Sequence, residues 1–179
     1  MRIVSGKYRH RLIEYPEDSL HIRPTKDRIR EALFSALGNL NGLNVLDLYA
    51  GSGAMGIEAL SRDALHCSFV DNNPIAIKTI KNNINNLKID NAEILFLNAQ
   101  EALDKFKKEN RIFDLIILDP PYALGDYEGN IFYILDNNLI NKGSRIVTEC
   151  NRELDFSKFK YEKIKSYRYG EIFVNVLYF

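Results

Sequence analysis

The stretch Phe113-Asp-Leu-Ile-Ile-Leu-Asp-Pro-Pro-Tyr122 restricts what this 179-residue chain can fold into more than any other segment. Leu115 to Leu118 are apolar without alternation, the pattern of a central strand buried on both faces of a parallel sheet. Asp119 closes that strand. Pro120 and Pro121 cannot donate to a sheet ladder, so the backbone must turn outward there. In open α/β sheets, ligands bind outside the carboxyl ends of the strands. An acid, two stiff prolines and the ring of Tyr122 at such a rim suit holding a flat, amino-bearing group against a reactive partner. The plainer alternative is an Asp-capped turn with a buried tyrosine.

Strand and helix patterns alternate around this stretch, which signals an α/β fold with a parallel sheet. Strands are predicted over 45–49, 67–71, 93–97, up to Asp119, and over 144–150. Helices are predicted over 54–62, from Pro74 to Leu87 behind an Asn73 cap, over 99–109, and over 127–138. Before them, Ile3-Val4 reads as a short strand. A leading helix opens at Arg23-Pro24-Thr25 with Thr25 as N-cap, buries Ile29, Leu33 and Leu37, and ends at Gly38. Lys26 and Arg30 lie one turn apart on another face of that helix. After Lys160 the pattern becomes two strands joined near Gly170, an antiparallel terminal hairpin.

The formal net charge is zero, so no overall field advertises a polyanionic partner. The distribution is uneven. Residues 1–30 carry Arg2, Lys7, Arg9, Arg11, Arg23, Lys26, Arg28 and Arg30 against Glu14, Glu17, Asp18 and Asp27, a local excess of four positives. Basic residues interleaved with Tyr8 suit phosphate and base contacts, although a solvated face would look the same. Cys67 and Cys150 are isolated, and no metal-ligand spacing is present, so reduced structural thiols in a cytoplasmic protein are expected. Nothing reads as an exported or membrane-spanning segment.

The first core strand runs into Asp47-Leu-Tyr-Ala-Gly51-Ser-Gly53-Ala-Met-Gly56, and Asp71 follows Gly51 by twenty residues. The three glycines and the later acid satisfy a nucleotide-binding fingerprint: glycines admit a ligand to the backbone, and the acid binds ribose hydroxyls. A dinucleotide would bring a pyrophosphate, which wants only N–H groups and the helix dipole. Asp47 instead places a negative charge where a cationic ligand would lie, which favours S-adenosylmethionine. Asn98, followed by Ala99, offers an amide near the adenine position, and it reads equally well as a helix N-cap.

Here the chain resembles a known family. Asp-x-Tyr-Ala-Gly-Ser-Gly with a later Asp-Pro-Pro-Tyr is similar to the class I methyltransferases that modify exocyclic amino nitrogens. Arg23-Pro24-Thr25, then Asp27 to Phe34, then Asp47 to Arg62 resemble the RsmD-type enzymes, which methylate N2 of one guanine in 16S ribosomal RNA. The likeness extends to Val147-Thr148-Glu149, and its one noted departure is His10, where the family usually has glycine within Arg-Gly-Arg.

The resemblance implies a Rossmann-like, seven-stranded, mostly parallel sheet with a C-terminal antiparallel hairpin. One domain would span 1–179: a basic RNA-contacting arm over 1–25, a leading helix over 26–38, and the core over 43–179. It implies a cofactor pocket of Asp47, Ala50, Gly51, Ser52, Gly53, Asp71, Asn72, Asn98 and Ala99. Asp119, Pro120, Pro121 and Tyr122 would form the catalytic motif, and Lys7, Arg9, Arg11, Arg23, Thr25 and Arg28 would contact RNA. The implied partner is 16S rRNA or a small-subunit particle; the sequence leaves the oligomeric state open, with a monomer as the default expectation. Rival readings are amino-methylation of another RNA or of DNA, protein-glutamine methylation, a non-catalytic RNA-binding relic, and an NAD-dependent oxidoreductase.

Overall fold

The computed structural model describes residues 1–15, 27–121 and 125–179. The leading helix is therefore seen as α1 (Asp27–Leu37), and its expected Thr25 cap lies outside the described residues. Gly38, at φ +76°, ends it in a left-handed conformation that suits glycine. The core then runs β1 (Asn44–Asp47), α2 (Ala54–Ser61), β2 (His66–Asp71), α3 (Pro74–Leu87), β3 (Ala92–Phe96), α4 (Ala99–Lys108) and β4 (Phe113–Leu118). It finishes with α5 (Tyr127–Asp136), β5 (Ile140–Cys150), β6 (Lys163–Tyr169) and β7 (Ile172–Tyr178).

The seven strands form one sheet in the order β3-β2-β1-β4-β5-β7-β6. β1 to β5 pair in parallel, and β7 runs antiparallel to both of its neighbours. The uninterrupted apolar stretch of β4 has its reason here: the strand lies between β1 and β5, and Leu115 to Leu118 are buried on both sheet faces. One face packs against α1, α2 and α3 together with Ile3 and Ile13, and the other against α4 and α5. Both cysteines are free and buried, Cys67 in the first core and Cys150 in the second. No described helix is long and apolar enough to cross a membrane.

Element ends differ from the sequence reading where a local backbone feature intervenes. β1 stops at Asp47 because Leu48 and Tyr49 already turn toward the glycine loop. α5 ends at Asp136, two residues early, with Asn138 at φ +55° unable to continue a right-handed helix. β5 begins at Ile140 rather than Ser144, with a register shift against β4 between Phe113 and Leu115. Ile3-Val4 forms no strand. The N-terminal segment folds back on itself through a single bridge between Arg2 and Leu12.

Candidate active site

The strand order reverses between β1 and β4, and this switch point is where an α/β sheet opens a crevice at its carboxyl rim. Each candidate acid sits on that rim: Asp47 ends β1, Asp71 ends β2, Asp119 follows β4, and Glu149 lies one residue before the end of β5.

The glycines of the loop after β1 have separate roles. Gly51 (φ +54°) and Gly53 (φ +79°) are left-handed, and a Cβ on Gly51 would meet nothing within 4 Å, so its backbone faces open space. Gly56 is different. It lies inside α2, where a Cβ would come 2.3 Å from the Phe69 ring and 2.7 Å from the Cys67 sulfur. Its absent side chain lets α2 seat on β2, bringing the helix start close behind the loop.

Asp47 is buried, and its carboxylate accepts the Gly56 N–H at 2.9 Å. Burial, and secondarily the Asp71 charge, push its pKa up to about 7. The folded protein therefore holds a proton there that the unfolded chain loses near pH 3.8. Stability must fall as pH rises through that window. Asp47→Asn keeps an acceptor for Gly56 and has no such penalty. Its stability advantage over the wild type should grow from nearly nothing at pH 4 to on the order of 3 kcal/mol at pH 7.5. Urea titrations across that range check it; a gap that does not widen with pH would refute the raised pKa.

Asp71 bridges the loop and the next helix, accepting Gly51 N–H at 2.8 Å and Asn73 N–H at 2.8 Å through different oxygens. Burial raises its pKa. Asn98 is a helix cap: it accepts the Glu101 N–H at 2.9 Å while Glu101 accepts the Asn98 N–H at 3.0 Å, a reciprocal capping box. That cap engages its oxygen and leaves its amide nitrogen at the rim. Ala50 and Ser52 are buried in the loop, Asn72 is exposed, and Ala99 is half-buried.

Asp119 is half-buried, Pro120 buried and Pro121 exposed, while Tyr122 lies outside the described residues. The Asp119 carboxyl is held well above the ordinary carboxylate range by burial first, then by the negative charges of Glu149 and Asp47. Asp47 from β1 and Glu149 from β5 thus both bear on Asp119 beside β4, an acidic spot of the kind found at functional sites.

The N-terminal segment is a strap across α2 and α3. The Val4 and Ser5 N–H groups donate to Glu58, Lys7 N–H to the Ser61 carbonyl, Tyr8 N–H to the Ser61 hydroxyl, and Arg11 to the Asn86 carbonyl. Ser61 is the last residue of α2, about 10 Å of helix from its start at the rim. Lys7, Arg9 and Arg11 are exposed but sit toward the far ends of α2 and α3, away from Asp119. Arg28 is exposed on α1, and Arg23 and Thr25 lie outside the described residues. Arg30 corrects the expectation of a basic helix face: it is fully buried and paired with Asp27 at 3.0 Å and Glu58 at 3.6 Å, so it is closed to phosphates.

A family profile described as "Conserved hypothetical protein 95" matches residues 1–178. The chain is 36% identical over 152 residues to the ribosomal RNA small subunit methyltransferase D of Buchnera aphidicola subsp. Acyrthosiphon pisum, covering 84% of this chain and 78% of that one. The chain belongs to the RsmD-type methyltransferase family. Among solved structures, yhhF from Escherichia coli superposes with a TM-score of 0.86 at 28% identity, covering 99% of this chain and 97% of that one. SMU.776, solved in complex with SAH, shares the fold at a TM-score of 0.71 and 16% identity, over 89% of this chain and 50% of its own.

The resemblance to the RsmD-type family implied a glycine at residue 10, and His10 has φ +68°, a conformation costly for a residue with a Cβ and free for glycine. His10→Gly should raise stability by about 0.5–1 kcal/mol, seen as ~1–4 °C in thermal unfolding. An unchanged or lower midpoint would refute the strain.

Three residues of this family member escaped the sequence reading as site residues: Glu149, Glu58 and Asn83. Asn83, buried on α3, accepts the Glu14 N–H at 2.7 Å and donates to the carbonyls of Glu14 (3.1 Å) and Ser52 (2.9 Å), tying the strap to the glycine loop. In sequence Asn83 is one of many asparagines, and no local signal separates it from the others.

Proposed function

We propose that this protein methylates the exocyclic N2 amino group of a guanine in small-subunit ribosomal RNA, with S-adenosylmethionine as methyl donor. The gathering of Asp47, Asp119 and Glu149 beside an open, left-handed glycine loop carries the reading. Family membership adds to it: the Buchnera relative is named for the small-subunit rRNA, and the fold is shared with a protein solved with SAH. We take residues 1–179 as one methyltransferase domain, acting as a monomer in the cytoplasm.

The residues present suit a cationic nucleoside cofactor. Gly51 leaves its backbone open to a ligand, and Asp71 keeps spare lone pairs on both oxygens for ribose hydroxyls. Buried Asp47 and the other rim acids favour a positively charged ligand, whereas a pyrophosphate would meet repulsion, which weighs against the oxidoreductase reading. Asn98 has its amide nitrogen available for the adenine. When bound, S-adenosylmethionine supplies an electrophilic methyl group.

A guanine amino group is a poor nucleophile because its lone pair is delocalised into the ring. The Asp119 carboxylate and the Pro120 carbonyl accept hydrogen bonds from the two amino protons and orient the nitrogen lone pair. The stiff Pro120-Pro121 backbone fixes those acceptors in place. Tyr122 stacks on the base, a contact worth ~1–3 kcal/mol. The base must leave its stack to enter the crevice, which favours RNA loops over intact duplex.

The test is methyl transfer from radiolabelled S-adenosylmethionine to small-subunit particles from cells lacking the protein, with mass-spectrometric nucleoside analysis. N2-methylguanosine at one site is the expected product. Label in another nucleoside, or none in RNA, would overturn the assignment.

A further inference from the structure

We infer that one face of the edge strand β6, the row Tyr169, Tyr167, Lys165 and Lys163, is a second RNA-binding track that receives the single-stranded segment flanking the target base. This rests on the RNA-methylation reading above and extends it to the edge strand at the opposite end of the sheet from β3.

The first observation is register. Glu149 on β5 lies opposite Val174 on β7, which lies opposite Tyr167 on β6. Residues directly opposite across paired strands share a sheet face, so Glu149, Val174 and Tyr167 form one row. Glu149 is one of the charges acting on Asp119, and two strand spacings of about 4.8 Å separate its row position from Tyr167. Tyr167 therefore stands at the height of the catalytic rim, on the face that carries α1, α2 and α3. Lys7, Arg9 and Arg11 do not reach that height.

The second is chemistry. Tyr167 and Tyr169 are stacked, their ring centroids 6.5 Å apart and their planes 20° from parallel, and both are only partly buried. Further down the same face, Lys165 and Lys163 lie over the Tyr178 ring at 5.6 and 5.9 Å. Among the described residues neither lysine has a carboxylate within ion-pair distance, although Lys158 and Lys142 nearby do. Partly exposed rings followed by unpaired cations at two-residue steps of about 6.7 Å match a strand of stacked bases and its phosphates.

The third is charge. Residues 158–170 carry Lys158, Lys160, Lys163, Lys165 and Arg168 against Glu162 alone, in a chain of zero formal net charge. A polyanion is the partner complementary to such a segment. The competing account is that the lysines keep an exposed edge strand from pairing with another chain.

The experiment measures binding of an unmodified small-subunit rRNA transcript against KCl concentration. It compares the wild type, K163A/K165A, Y167A, and K107A/K108A as a control that removes the same charge from α4. K163A/K165A should flatten the slope of log Kobs against log[KCl] by about 1.4, and the control should not. Y167A should weaken binding roughly 5- to 150-fold, the range for losing one base–aromatic stack. SAH affinity should stay as in the wild type for every variant, and the thermal midpoint should fall only for Y167A, whose ring packs against the core. Equal slopes for K163A/K165A and the control overturn the inference, as does self-association of K163A/K165A with unaltered RNA binding. A wild type that neither binds nor methylates the RNA would bring down the functional reading as well, and so is distinguishable.

Discussion

Asp119→Ala is expected to lower methyl transfer to small-subunit RNA by at least ~100-fold while SAH binding stays within about twofold of the wild type. The side chain lies past the end of β4, whereas the glycine loop and Asp71 follow β1 and end β2, so the proposed cofactor contacts do not involve it. What the proposed mechanism loses is the acceptor that orients the amino nitrogen. The same carboxyl is raised well above its ordinary range by burial and by Glu149 and Asp47, and only its ionised form accepts both ways. Single-turnover rates should therefore climb as pH rises through the Asp119 titration. Asp119→Asn retains one acceptor oxygen; it should lose less activity than the alanine variant and lose that low-pH limb. Because Asp119 is repelled by its neighbours in the folded state, neither change should lower the thermal midpoint at pH 8. A variant turning over within fivefold of the wild type would remove Asp119 from the mechanism.

The largest effect on stability is expected at Glu58. Its fully buried carboxylate accepts the Val4 N–H at 2.9 Å, the Ser5 N–H at 3.1 Å and the Arg62 Nε at 2.9 Å, and it faces buried Arg30 at 3.6 Å. Alanine there strips Arg30 of one of its two carboxylate partners and leaves two strap amides without acceptors. Removing one side of a buried charge cluster costs about 3–5 kcal/mol, or ~6–20 °C in a chain of this size. Amide exchange at Val4 and Ser5 should rise toward that of an unstructured segment, since their hydrogen bonds go with the carboxylate. Glu58→Gln keeps the shape and an acceptor oxygen, so it should fall between. A shift below about 2 °C for the alanine variant would show that the strap is held by its other anchors, Ile3, Ile13, Ser61 and Asn83, without the Glu58 carboxylate.

These residues mark the boundary between what sequence and tertiary structure each decided. The alternating elements were legible because burial imposes a period on them: β4 shows as an apolar run since both of its faces are covered, and α3 is bracketed by Asn73 and Pro74. The rim acids and the glycine loop were legible for a related reason. A strand's end, a tight turn and a helix start are neighbours in sequence, so Asp47, Gly51 and Gly53 announce themselves within a few residues. Asp71 could be found only through a fixed spacing, and Asn98 read two ways until its partner Glu101 settled the cap.

Contacts between elements far apart in the chain left no such trace. Arg30 looks like one more cation on a basic helix, and its burial follows only when α2 brings Glu58 against α1 and the strap. Asn83 acquires its role because α3 lies between Glu14 and Ser52. Lys7 and Arg9 read by charge as part of an RNA-contacting arm, but only the anchor at Ser61 places them at the far end of α2. Local periodicity encodes what a segment buries. Which distant partner it buries against is fixed by the packing of whole helices on the sheet, and that information exists only in three dimensions.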